Sequence, residues 1–227
     1  MNGVGPHSAP SLVDGATSAR PIGEIAPDLS GLSVAGVQDG RAFTWTATDD
    51  SFATLDACQY LADGPCAHAA AAGEPVETNP QNLLREGRWE LFASACIAVG
   101  VQASMSLPVT RRRDGGRTVV VGTVNLYGGE PDAFHGRRDE LLDWSSRWGP
   151  TAGLDRAAAT LAVRREKASL PERHRDQNAV DWVVPILAAR LGVDVGVAAD
   201  RLHDAATRAG LPESRAAALL IDVIAAA

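Results

Sequence analysis

The chain has 227 residues, 45% of them hydrophobic and 22% charged, a composition of ordinary folded proteins and long enough for one large domain or a medium and a small one. Twenty-one basic residues against 28 acidic ones leave a net charge of −7, which excludes nucleic-acid binding through general basicity, so any RNA contact has to be local. Three cysteines, Cys58, Cys66 and Cys96, are odd in number and lack CxxC spacing, which argues against a disulfide framework and for a reducing compartment.

Residues 1–28 mix Gly, Pro, Ser and Ala without periodicity and are expected to be a flexible tail. They contain no basic start followed by an apolar run, and no stretch of the chain reaches the roughly 18 apolar residues of a membrane span, so the expectation is a cytoplasmic protein. Order is expected to begin near Leu29. From there LSVAGVQDGRAFTWTATDD alternates apolar and polar positions about Asp39-Gly40, a dipeptide suited to a two-residue hairpin turn. Ser51 to Tyr60 reads as a short helical or irregular link. After Gly64-Pro65 the run CAHAAAAG predicts a short helix that Gly73 stops.

Glu74 to Thr78 reads as a brief strand, and GRWELFASACIAVG, Gly87 to Gly100, as an amphipathic helix. Two more strands, SMSLPVT and TVVVGTVNLYG, flank RRRDGGR, whose arginines are explained most simply as a solvated loop. The first part thus reads β-β-α-β-α-β-β, an antiparallel sheet with helices packed on it, of the α+β class. From Arg137 onward the pattern is helical: Arg137 to Trp148, a break at Gly149-Pro150, and Thr151 to Ala168, a rod of about 27 Å suited to pairing two chains. Pro171 restarts the chain, and VDWVVPILAARLG, VAADRLHDAATRAG and ESRAAALLIDVIAA make a compact helical module, with Pro185 expected to kink or begin a helix. The expected organisation is a tail at 1–28, a sheet domain at 29–148, a connecting helix at 149–170 and a helical module at 171–227.

These residues also carry a resemblance. QYLADGPCAHAAAAGEPVE, GRWELFASACIAVGVQASMSLPV, VVVGTVNLYG and Asp132-Ala133-Phe134 resemble the GAF domains of actinobacterial GAF-ANTAR regulators over about residues 30–148. Val180, Ile186-Leu187, Arg190, Gly192, Ala198, Leu202 and Ala206 resemble the first two helices of an ANTAR module, a small RNA-binding unit of transcription antiterminators, within about residues 177–224. The resemblance implies a GAF sensor domain whose ligand pocket involves Tyr60, Cys66 and Trp89. It further implies a cytoplasmic homodimer in which paired ANTAR modules bind stem-loop RNA through Arg190, Arg201, Arg208 and Arg215. It leaves the GAF ligand or protein partner, and any cofactor, unidentified.

Each of these residues also has a plainer reading. Cys66 as a nucleophile needs a base, and His68, two residues on, points to another face of a helix. As a zinc ligand Cys66 lacks a second pair, so no metal site is expected, and a small residue packed at the pocket mouth is the simpler reading. Trp89 is explained more simply as a residue packed over the sheet than as a lining of a ligand cavity. Between Pro171 and Ala227 six arginines stand against eight acids, a net of −2, so RNA binding depends on Arg201, Arg208 and Arg215, seven residues apart each time, sharing one side. No Gly-x-Ser-x-Gly, phosphate loop, HxxxH or Rossmann fingerprint is present, and the chain is not read as an enzyme. The competing expectation is a dimeric interaction or sensor protein whose helical module no longer binds RNA.

Overall fold

A computed structural model describes residues 21–38, 40–113, 115–146 and 179–225. Its first element is a short helix, α1 (Ile22–Ile25), whose two isoleucines are buried, so part of the segment expected to be a tail joins the core. Strands β1 (Leu29–Gln38) and β2 (Arg41–Ala47) form the expected hairpin, with Gln38 opposite Arg41 and Gly40 at φ +76° in the turn.

The stretch expected to be a short helical or irregular link is a full helix of 13 residues, α2 (Asp50–Ala62), which Asp49 caps by accepting from the Ser51 N–H. Every residue from Ser51 to Gln59 is buried, so α2 has no polar stripe and its helical period is not visible in the sequence. Helix α3 (Pro65–Ala72) follows with Pro65 in its first turn and Gly73 in the left-handed region at its end. After β3 (Val76–Thr78) comes α4 (Pro80–Glu86), capped by Asn79 and closed by Gly87. Helix α5 (Glu90–Ala98) starts three residues later than the sequence suggests, because Gly87 ends α4 and Trp89 stands at φ +49° between them.

Strands β4 (Ala103–Arg112) and β5 (Thr118–Gly128) pair in antiparallel register, and α6 (Arg138–Ser146) follows. The five strands form one antiparallel sheet in the order β2-β1-β5-β4-β3, so the α+β class holds. The connecting helix expected at 149–170, its break at Gly149-Pro150 and its pairing role lie outside the described residues. The last three helices are α7 (Ala179–Leu191), α8 (Val195–Arg208) and α9 (Glu213–Ala225). Pro185 sits inside α7 and does not begin it.

Strand alternation divides the core in two. On one face Leu32, Val34, Met105, Leu107, Val124 and Leu126 pack with Ile22, Ile25, Phe134, Leu141 and Trp144 beneath α1 and α6. The opposite face lies under α2 and α3 and is built of polar residues. Beyond α2 a second cluster joins Phe52, Leu55, Leu91 and Phe92 with Val183, Leu187, Leu202, Ala205 and Leu220, so the C-terminal helices share one core with α2 and α5. None of the described helices is by itself long and apolar enough to cross a membrane.

Candidate functional site

The polar sheet face follows directly from the period of β5. In Thr123-Val124-Asn125-Leu126-Tyr127 the apolar pair points to α6, while Asn125 and Tyr127 point to α2 and Thr123 to α3. Ser33 on β1 and Ser106 on β4 stand opposite Asn125, which sets a row of three buried polar side chains across the sheet. Gly31, opposite Tyr127, leaves the space that the Phe52 ring fills: a Cβ there would stand 2.0 Å from that ring. The Phe52 and Tyr127 rings stack at 5.2 Å between centroids, which closes one end of the polar face.

Asp56 of α2 is the centre of this face and is fully buried. Its Oδ1 accepts from Ser33 Oγ at 2.8 Å, Tyr127 Oη at 2.9 Å and Asn125 Nδ2 at 3.1 Å, and its Oδ2 accepts from Thr44 Oγ1 at 2.8 Å. Among the described residues no cation forms an ion pair with it. Burial raises the carboxyl and outweighs the opposing bonds from Ser33, Thr44, Tyr127 and Asn125, which leaves it at about 6. Because Thr44 gives its only hydroxyl proton to Asp56, the Tyr60 hydroxyl 2.9 Å away donates to Thr44. The result is a directed chain from Tyr60 through Thr44 to Asp56.

Cys66 is 1% exposed. Its backbone N–H donates to Gln59 Oε1 at 2.7 Å, so α2 supplies the cap that Gly64 cannot give α3, and its Sγ lies 2.9 Å from Thr123 Oγ1. Burial, aided by the charge of Asp56, pushes the thiol up to about 12, a state with neither nucleophilic nor metal-binding character. Two buried polar atoms at this face have no hydrogen-bond partner, the Gln59 Nε2 donor and the Asn125 Oδ1 acceptor. The described residues contain no cluster of three His, Cys, Asp or Glu able to hold a metal ion. Chemically, the face offers hydrogen bonds and one titratable carboxyl.

Of the expected pocket residues, Tyr60 and Cys66 both border this face. Trp89 is elsewhere: the Arg88 guanidinium stacks on its ring at 3.8 Å, His68 meets it edge-on at 5.8 Å, and it lines a cleft that also contains Arg190. The four expected RNA-binding arginines differ in their surroundings. Arg208 sits on the Tyr60 ring at 4.2 Å, donates from Nε to the Ala42 carbonyl at 2.7 Å and pairs with Asp204, which also holds Arg41 of β2 at 2.5 Å. Arg215 lies 3.3 Å from Asp50 at the start of α2, close enough for an ion pair though not aligned as a hydrogen bond. Arg201 and Arg190 are exposed. Two of the four therefore fasten the C-terminal helices to α2 and β2.

Asp56, Thr44, Asn125, Thr123, Ser33 and Gln59 were missed as site residues in the sequence. The available signal was the polar alternation of β5, which a half-buried strand would normally turn to water. No protein-family model matches the chain, and no curated protein matches it.

Proposed function

We propose that this chain is a non-catalytic, signal-responsive regulator of the GAF-ANTAR type, in which the sheet domain senses and the C-terminal helices bind stem-loop RNA to prevent a terminator from forming. The observation that carries the reading is the path from the buried carboxyl of the sheet domain to the helical module: Asp56, Thr44, Tyr60 and then Arg208, each touching the next. An event at the polar face that alters Tyr60 acts on the seat of an arginine that the resemblance assigns to RNA. With Arg208 and Arg215 fastened to Ala42, Tyr60 and Asp50, the described arrangement is the clasped one, and RNA binding by paired copies follows release. The signal works only through a difference in affinity for the clasped and released arrangements.

The test is binding to a pool of paired stem-loop RNAs across a salt series. Tyr60→Ala, which removes the seat of Arg208, is expected to bind about tenfold tighter than the parent chain, and Arg201→Ala/Arg208→Ala/Arg215→Ala is expected to lose binding and its salt dependence. Absence of binding by a folded Tyr60→Ala protein at low salt rejects the RNA output. A second reading is favoured by α7, where Trp182 is 68% exposed and Ile186 one turn on is exposed beside it. In that reading the module docks a protein partner and its arginines serve only the internal contacts.

A further inference from the structure

The sheet domain and the helical module meet across a cleft of about 740 Å³, with α4, α5 and the end of α2 on one wall and α7 and α9 on the other. Leu84, Leu91 and Ile97 face Leu187, Leu191 and Val223 across it. Leu84 and Ile97 are each 40% exposed, large apolar side chains left uncovered at a junction that is otherwise a packed core. The volume falls within the range of small-molecule sites, and junctions between packed units are where such sites concentrate.

The cleft lining holds one base and one acid, Arg190 and Glu90, which form no ion pair with each other. Arg190, in the last turn of α7, lines it and has no ion pair among the described residues. The acid on the facing wall, Glu90, turns back over the loop before α5, its Oε1 lying 3.7 Å from where a Cβ on Gly87 would stand. A cleft whose walls carry leucines, Ile97 and Trp89, with Ser94 and Glu90 also in its lining and at its edge a guanidinium that no described residue pairs, is complementary to an apolar body that ends in a carboxylate held at the Arg190 end. We propose that this cleft binds an amphipathic carboxylate, with Arg190 holding the headgroup and the leucines, Ile97 and Trp89 covering the apolar body. The inference rests on the reading of the chain as sensor plus output, and it gives the signal a second place of entry. Because the ligand touches both walls, it stabilises the clasped arrangement and opposes RNA binding.

Decanoate is the probe, titrated calorimetrically into the full chain without RNA, with decanol as the uncharged control. Saturable binding of decanoate, at least about tenfold weaker binding in Arg190→Gln through loss of one charge-assisted hydrogen bond, and abolition in Ile97→Trp, which fills the cleft, are the expected results. No binding of decanoate, or equal binding by decanol or by Arg190→Gln, overturns the proposal. Since no RNA is present, failure here leaves the RNA reading standing. Success here together with RNA-free behaviour of Tyr60→Ala leaves the ligand site standing without the RNA output.

Discussion

Asp56 is a buried carboxylate held by four hydroxyl or amide donors and no cation. Its folded value near 6 lies above the unfolded 3.8, so its contribution to stability is fully present below 3.8 and is lost as the pH rises through 6. A change of this size is worth on the order of 3 kcal/mol, at about 1.36 kcal/mol per pH unit. Asp56→Asn has no proton to exchange. The difference in unfolding free energy between the two proteins is therefore expected to shift toward the native Asp56 protein on acidification across that window. Parallel curves in denaturant titrations at the two ends would show that Asp56 does not titrate as described. None of this was legible in the sequence, where the segment from Ser51 to Tyr60 reads only as a short helical or irregular link and nothing marks Asp56 as buried. Cys66 was different: a small residue after Gly-Pro was expected to pack, and it does, at 1% exposure.

At the scale of elements, the sequence was most legible where local chemistry decides the backbone. The hairpin that pairs Gln38 with Arg41, the Pro65 start and Gly73 stop of α3, and β5 are all where turn, cap and alternation place them. It was least legible where tertiary burial decides, because α2 is covered on nearly every side and shows no stripe. Helix α4 was missed although Asn79, Pro80 and Gly87 spell out its two ends; only seven residues long, it offers no period to recognise. Gly31 belongs to this scale, since it couples β1 to α2 by proximity alone. Gly31→Ala is expected to cost about 3 kcal/mol, because the added methyl must displace a Phe52 ring already stacked on Tyr127. Thermal unfolding checks this, with Phe52→Leu in the same chain expected to restore part of the loss by making room.

For the whole molecule, the sequence separates a sheet domain from a helical module, and the packing joins them: Leu187, Leu202, Ala205 and Leu220 lie in one cluster with Leu55, Leu91 and Phe92. The side chains that fasten the junction are long-range partners, such as Arg208 with Ala42 and Arg41 with Asp204, which no local pattern announces. Arg208→Ala removes a guanidinium that is largely covered and engaged by a carbonyl, a ring and a carboxylate, and is expected to lower stability by about 2 kcal/mol. Hydrogen exchange distinguishes a loosened junction from general softening: protection is expected to fall in α8, α9 and β2, while the strands β4 and β5 keep theirs. Uniform loss across all of these elements would mean that the junction has no independent opening.

Strand β2 is the last strand of the sheet on its side, and the Arg208 guanidinium occupies its Ala42 carbonyl while α8 lies against it. Trp45 of the same strand is already exposed. The Arg208 side chain is thus the guard of a strand edge, and withdrawing it leaves backbone groups and an aromatic side chain open to the edge of another chain. Permanent release would carry a hazard of its own, since copies held open could add to one another strand by strand. Cells expressing such a form would be expected to lose it to insoluble material, which makes a brief, reversible release the arrangement that this sheet can tolerate.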